Sequence, residues 1–136
     1  MAHPQMFEDD DPALVRVREL ALALPAAAMK VSHGRPAFWT QPRGKVFAYY
    51  GGSVKVDGEY VQHEQSIMVL LETDEHDALL DDPRVFVPAY IGGSGWLGID
   101  LPDVAAGGWD EVAELIDASY RRTAATKLVA ELDDRG

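Results

Sequence analysis

Residues 28–71 read AMKVSHGRPAFWTQPRGKVFAYYGGSVKVDGEYVQHEQSIMVLL, and this stretch decides the fold class. Its apolar positions are β-branched or aromatic, the types that suit a pleated, half-buried surface. Gly and Pro punctuate it. Met29–His33, Ala37–Thr40, Lys45–Tyr50 and Gln65–Leu71 read as strands. His33-Gly34-Arg35-Pro36 and Gln41-Pro42-Arg43-Gly44 read as tight links, and Asp57-Gly58 as another turn. Gly51-Gly52 leads into a short extended piece over Ser53–Val56. Links this short join antiparallel neighbours, because a parallel pair needs a crossover of a dozen residues or more.

Helices flank this block. Asp11 is placed as an N-cap with Pro12 at the first helical position, where a missing N–H costs nothing. Leu14, Val17, Ala21 and Leu24 follow at helical spacing until Pro25. Beyond the block, Thr73 is read as the cap of a short acidic helix reaching Leu80, stopped by Asp82-Pro83. Arg84–Val87 and Trp96–Leu101 read as two more strands. From Trp109 an apolar stripe through Val112, Leu115, Ile116, Ser119, Tyr120, Thr123 and Leu128 predicts one C-terminal helix of about 20 residues. The class is α+β: two layers, a single antiparallel sheet covered by helices on one face, in the order α-β3-α-β2-α.

A chain of 136 residues fits one domain that buries roughly two-thirds of its unfolded surface. Residues 1–10 are expected to be a flexible tail and 11–132 the single domain. There is no cysteine, so disulfides, thiolate chemistry and cysteine-ligated zinc are excluded. No signal peptide or membrane span is legible, which makes a cytoplasmic protein with no membrane partner the expectation.

The net charge of −11 is unevenly spread. Residues 1–11 carry −4, residues 12–58 carry +5, and residues 59–136 carry −12. Duplex binders usually present a net basic face, because phosphate neutralisation supplies most of their affinity. A basic half joined to an acidic half is therefore the informative feature.

Several short motifs occur in a characteristic order: Leu24-Pro25 after the first helix, Lys45-Val46-Phe47-Ala48 in a strand, Pro88-Ala89-Tyr90 before Trp96, and Ser119-Tyr120-Arg121 in the last helix. Over about residues 12–130 the chain resembles the MmcQ/YjbR family. The resemblance implies a two-layer fold like that of type III secretion chaperones, and a DNA-binding role through paired β-hairpin wings with no defining enzymatic activity. Between Tyr90 and Trp96 this chain has Ile-Gly-Gly-Ser-Gly, where many relatives carry polar or basic residues.

No catalytic motif is present. Gly92-Gly93-Ser94-Gly95 leads to Trp96 and a strand, so it is neither a P-loop nor a nucleophile elbow. The run Asp74-Glu75-His76-Asp77 reads as a solvated acidic helix face rather than a metal site, and no cofactor is indicated. Two candidate sites remain. His33, Arg35, Trp39, Arg43 and Lys45 interleave bases with aromatics across two hairpins, a pattern for nucleic acid or another anion that also suits a protected sheet edge. Tyr90, Trp96 and Tyr120 are candidates to line a groove for a flat ligand, or to pack the last helix. The chain thus reads as a non-enzymatic binding module with weak nucleic-acid binding through its basic hairpins. The alternative is a chaperone-like or small-ligand-binding protein using the sheet face and the Tyr90/Trp96 loop.

Overall fold

Asp11 caps the first helix as its position predicts. In the computed structural model, which describes residues 5–135, its carboxylate accepts a hydrogen bond from Ala13 N, and α1 spans Pro12–Leu22. Of the expected tail, residues 1–4 lie outside the described residues. Residues 5–10 are tied to the domain: Met6 N donates to Gly34 O over 2.8 Å, and Phe7 packs against the core.

Four strands follow, β1 (Ala27–Ser32), β2 (Arg35–Thr40), β3 (Val46–Val56) and β4 (Glu59–Leu70). Then come α2 (Thr73–Leu79), β5 (Val85–Phe86), a 3-10 turn (Gly92–Ser94), β6 (Trp96–Asp100), α3 (Trp109–Thr123) and α4 (Thr126–Asp134). The strands form one antiparallel sheet in the order β1-β2-β3-β4-β6-β5. The two-layer α+β architecture is the one the sequence predicts. Among the described residues no helix is long and apolar enough to cross a membrane.

Three local expectations change. Gly51-Gly52 does not end a strand: the register shifts between Tyr50 and Gly52, and Gly51 has φ 82°. A bulge of this kind absorbs an extra residue and lets the strand run on, which only glycine does without Cβ strain. The separate pieces Lys45–Tyr50 and Ser53–Val56 are therefore one strand, and β3 and β4 make a long hairpin. Its tip is Asp57 and Gly58, both at positive φ (51° and 84°), the mirror-image turn that matches strand twist. At α2 the cap position is Glu72, with no side-chain cap bond, and Thr73 is the first helical residue. The expected C-terminal helix is two. Thr123 Oγ1 bonds back to Ser119 O over 2.8 Å, and Ala124 and Ala125 are extended (ψ 156° and 148°). A hydroxyl that takes the carbonyl four residues back weakens the helical ladder at that point.

All four helices share one layer. Leu14, Val17, Ile116 and Tyr120 are buried against Phe38, Phe47, Ile67 and Val69. Each such side chain contributes roughly 1.5–3 kcal/mol when fully buried. Phe47 meets the Tyr120 ring edge-on at 5.2 Å. Arg121 ties α3 to α4 through Asp133, and Arg135 reaches Ala23 O beside α1. Among the described residues no α-helix packs on the opposite sheet face.

Candidate binding face

Because strand side chains alternate, the residues next to the core positions define the other face. Phe38 points into the core, so Trp39 and Ala37 point away from it. Ala37 pairs with Tyr49, Tyr49 with Met68, and Leu70 with Trp96. Cross-strand partners share a face, which places Trp39, Tyr49 and Trp96 together on the helix-free side. All three are partly exposed. The Tyr49 and Trp96 rings meet edge-on at 5.2 Å between centroids. Lys30 Nζ on β1 sits 5.2 Å from the Trp39 ring centroid, a cation–π contact. Burial among these neighbours raises the Tyr49 pKa above its ordinary value. Trp39 Nε1 is buried and finds no acceptor among the described residues.

The sequence-predicted basic set divides. His33, at φ 53°, and Gly34 form the β1–β2 turn, and Arg35 opens β2 next to it. Arg43 and Lys45 lie in the β2–β3 link at the far end of that six-residue strand, about 16 Å away at the usual rise. Arg35 is also committed: its guanidinium donates to Gln62 Oε1 and fills the space beside Gly51, so that a Cβ there would collide with it. Burial lowers its pKa, against the raising influence of Glu64. The five residues are not one patch. Trp39, Arg43 and Lys45 stay together at one end, joined by Lys30. Lys30 lies two places from Ala28, which pairs with Trp39, so strand alternation carried the signal for it.

Nor do the groove candidates meet. Tyr120 is fully buried in the helix layer, with its hydroxyl donating to Pro25 O over 2.7 Å. Trp96 lies on the opposite face. Tyr90 is 84% exposed and stacks on Tyr60 of the long hairpin, with centroids 5.8 Å apart and the hydroxyls 2.5 Å apart. The expected three-residue groove is replaced by the row Trp39–Tyr49–Trp96, with Tyr49 as the member the sequence reading missed.

The segment after β5 covers the rest of the helix-free face. Phe86 lies flat across Gly98, where any Cβ would collide with its ring, and stacks on His63 with centroids 4.0 Å apart. His63 Nδ1 is 2.7 Å from Asp100 Oδ1. Ser66 does not complete a nucleophilic triad with this pair: it is fully buried and donates to the His63 carbonyl. Ala89 N donates to Ser53 O over 2.8 Å, pinning the strap to the hairpin. Among the described residues no group of three His, Asp or Glu could hold a metal ion.

Most of the ion pairs lie in the helical layer, although Arg16, Lys127 and Arg135 there have none among the described residues. On the helical side Arg84 pairs with Asp82 and Glu111, Arg121 with Asp117 and Asp133, and Arg122 with Glu72. Around Trp39, Lys30, Arg43 and Lys45 have no carboxylate within ion-pair distance among the described residues. The tip of the long hairpin is different, with Lys55 facing Asp57 and Glu59 in sequence and therefore no basic excess. No curated protein matches the chain. The YjbR family model matches residues 22–122, nearly three-quarters of the sequence, and the chain belongs to the YjbR family.

Proposed function

We propose that this protein is a binding module that receives a polyanion, of nucleic-acid type, on the helix-free face of its sheet around Trp39. One observation carries the reading. In a chain of net charge −11, where acids far outnumber bases, Lys30 beside Trp39 and Arg43 and Lys45 in the adjoining β2–β3 link have no carboxylate within ion-pair distance among the described residues. Positive charge held beside partly exposed aromatic surface is the arrangement that anionic, ring-bearing ligands use. The number of cations limits the affinity. Three phosphate contacts give a weak, strongly salt-dependent interaction, since each neutralised phosphate contributes to the slope of log K against log salt.

Titration with an anionic polymer at two salt concentrations tests this. Binding that weakens steeply from about 50 to about 200 mM salt, and that Arg43→Glu with Lys45→Glu abolishes, is the expected result. Salt-independent binding, or binding indifferent to that reversal, excludes this face as the site.

A further inference from the structure

Trp39, Tyr49 and Trp96 come from β2, β3 and β6, with β4 between the last two. At the usual strand spacing the backbones that carry the three rings span about 14 Å. The Tyr49 and Trp96 rings lean together across β4, edge-on and 5.2 Å apart, beside partly exposed Leu70, while Met68 is buried. The rim of the row is set on one side by Lys30 and the Arg43–Lys45 link. On the other side the strap returns to the sheet at Gly95, where a Cβ would lie 3.4 Å from the Leu70 side chain.

We infer that this row is a stacking platform for the unpaired bases of a single-stranded nucleic acid, whose phosphates run past Lys30, Arg43 and Lys45. The inference rests on the polyanion reading above and makes it more specific. A duplex keeps its base faces stacked inside and offers only groove edges and phosphates. Around Trp39, Tyr49 and Trp96 no helix or hairpin among the described residues stands out from the sheet to enter a major groove. This face can offer ring surface to bases that are already unstacked, one at Trp39 and one at the Tyr49–Trp96 pair. Tolerance of sequence follows, since every base has a face to stack and no directed donor set lines the row. The net charge agrees with this. Long-range repulsion of −11 opposes a duplex, with its doubled phosphate density, more than a single strand of the same length.

The experiment compares three probes on the full chain: an oligothymidylate of about 12 nucleotides, a duplex of the same length, and inorganic polyphosphate. The oligothymidylate is expected to quench tryptophan emission and to bind at least about tenfold more tightly than the duplex, given roughly 1–3 kcal/mol per stacked base. Trp39→Ala with Trp96→Ala should remove that preference while polyphosphate binding stays unchanged, and Trp39→Phe with Trp96→Phe should restore it. Lys30→Glu with Arg43→Glu should weaken all three probes. If the double alanine variant does not fold, quenching of the native protein by oligothymidylate but not by polyphosphate decides the same question. Equal binding of all three probes, untouched by loss of the aromatics, overturns the stacking platform and leaves the polyanion reading standing. Absence of binding to any of the three overturns both.

Discussion

Ser119 Oγ donates to the carbonyl of Phe47 over 2.5 Å, in the buried layer between α3 and the sheet. The same oxygen accepts from Leu70 N over 2.8 Å. Phe47 sits where the β2–β3 register shifts, between Ala48, which pairs with Phe38, and Val46, which pairs with Trp39. A bulge leaves backbone groups outside the ladder, and a buried one must find another partner. One hydroxyl thereby satisfies backbone groups on the two central strands. Ser119→Ala should destabilise the domain by about 2–6 kcal/mol, since it leaves two backbone groups unpaired at about 1–3 kcal/mol each. Urea unfolding of the two proteins measures it; a difference under about 1 kcal/mol would show that the carbonyl and amide find other partners.

The two C-terminal helices should differ in their importance. α3 buries Trp109, Val112, Ile116 and Tyr120, while α4 has no buried residue and contributes only partly buried Leu128 and Leu132. A chain ending at residue 108 loses side chains worth roughly 1.5–3 kcal/mol each, which rivals the 5–15 kcal/mol of a whole domain. It is expected to show no cooperative thermal transition. A chain ending at residue 124 should keep one, at a lower midpoint.

Gly98→Ala tests the packing of the strap. The new Cβ would collide with the Phe86 ring, which is held between Gly98 and His63. Overpacking of this kind costs about 1–3 kcal/mol unless the neighbour moves. Phe86→Leu in the same chain should recover most of the loss, and a double-mutant cycle reads the coupling. Additive effects would mean that the ring does not lie on Gly98 in solution.

Acid should reveal the Asp82–Arg84 link that anchors the segment before β5. Hydrogen bonds from the Arg84 side chain and backbone hold the Asp82 carboxyl down to about 2. A carboxylate depressed in the folded state stabilises only above its unfolded pKa, near 3.9, and the effect is lost as pH falls toward the folded value. The urea midpoint of Asp82→Asn should therefore lie below that of the parent protein near neutral pH, and the two should converge between about pH 4 and pH 2. The group is partly exposed at the surface, so the separation is small. A gap that persists unchanged at pH 2 would assign it to something other than this charge.

Duplex DNA should bind poorly. Screening at physiological salt confines the repulsion of −11 to about 8 Å, which leaves local cations to act. With Arg35 turned to Gln62 at the other end of β2, only Lys30, Arg43 and Lys45 remain near one another. A dissociation constant weaker than about 10 μM at 150 mM salt is expected for random duplex. Arg35→Glu should change it little and Lys45→Glu should weaken it. Submicromolar duplex binding at that salt would show that cations elsewhere on the chain take part.

Local chemistry determined the elements. Asp11-Pro12 names a helix start, the period of Leu14, Val17 and Ala21 gives its buried stripe, and His33-Gly34 and Asp57-Gly58 name tight turns, because caps, periods and turns depend on residues within a few positions of one another. Links this short also made the sheet antiparallel before any contact was known. What sequence could not decide was which stripe the helices cover. Alternation says that Phe38 and Trp39 face opposite ways, but only the packing of α1 and α3 decided that Trp39 is the one left uncovered. Gly51-Gly52 has the same local signature whether it ends a strand or bulges it, and pairing with β4 settled that. Tyr120 and Tyr90 look alike as tyrosines beside other aromatics, yet one fills the core and the other stands in solvent. Arg35 and Arg43 look equally available until strand length sets them about 16 Å apart and Gln62 occupies one of them. Each of these depends on residues distant in sequence, and burial is a property of the assembled layers rather than of any segment.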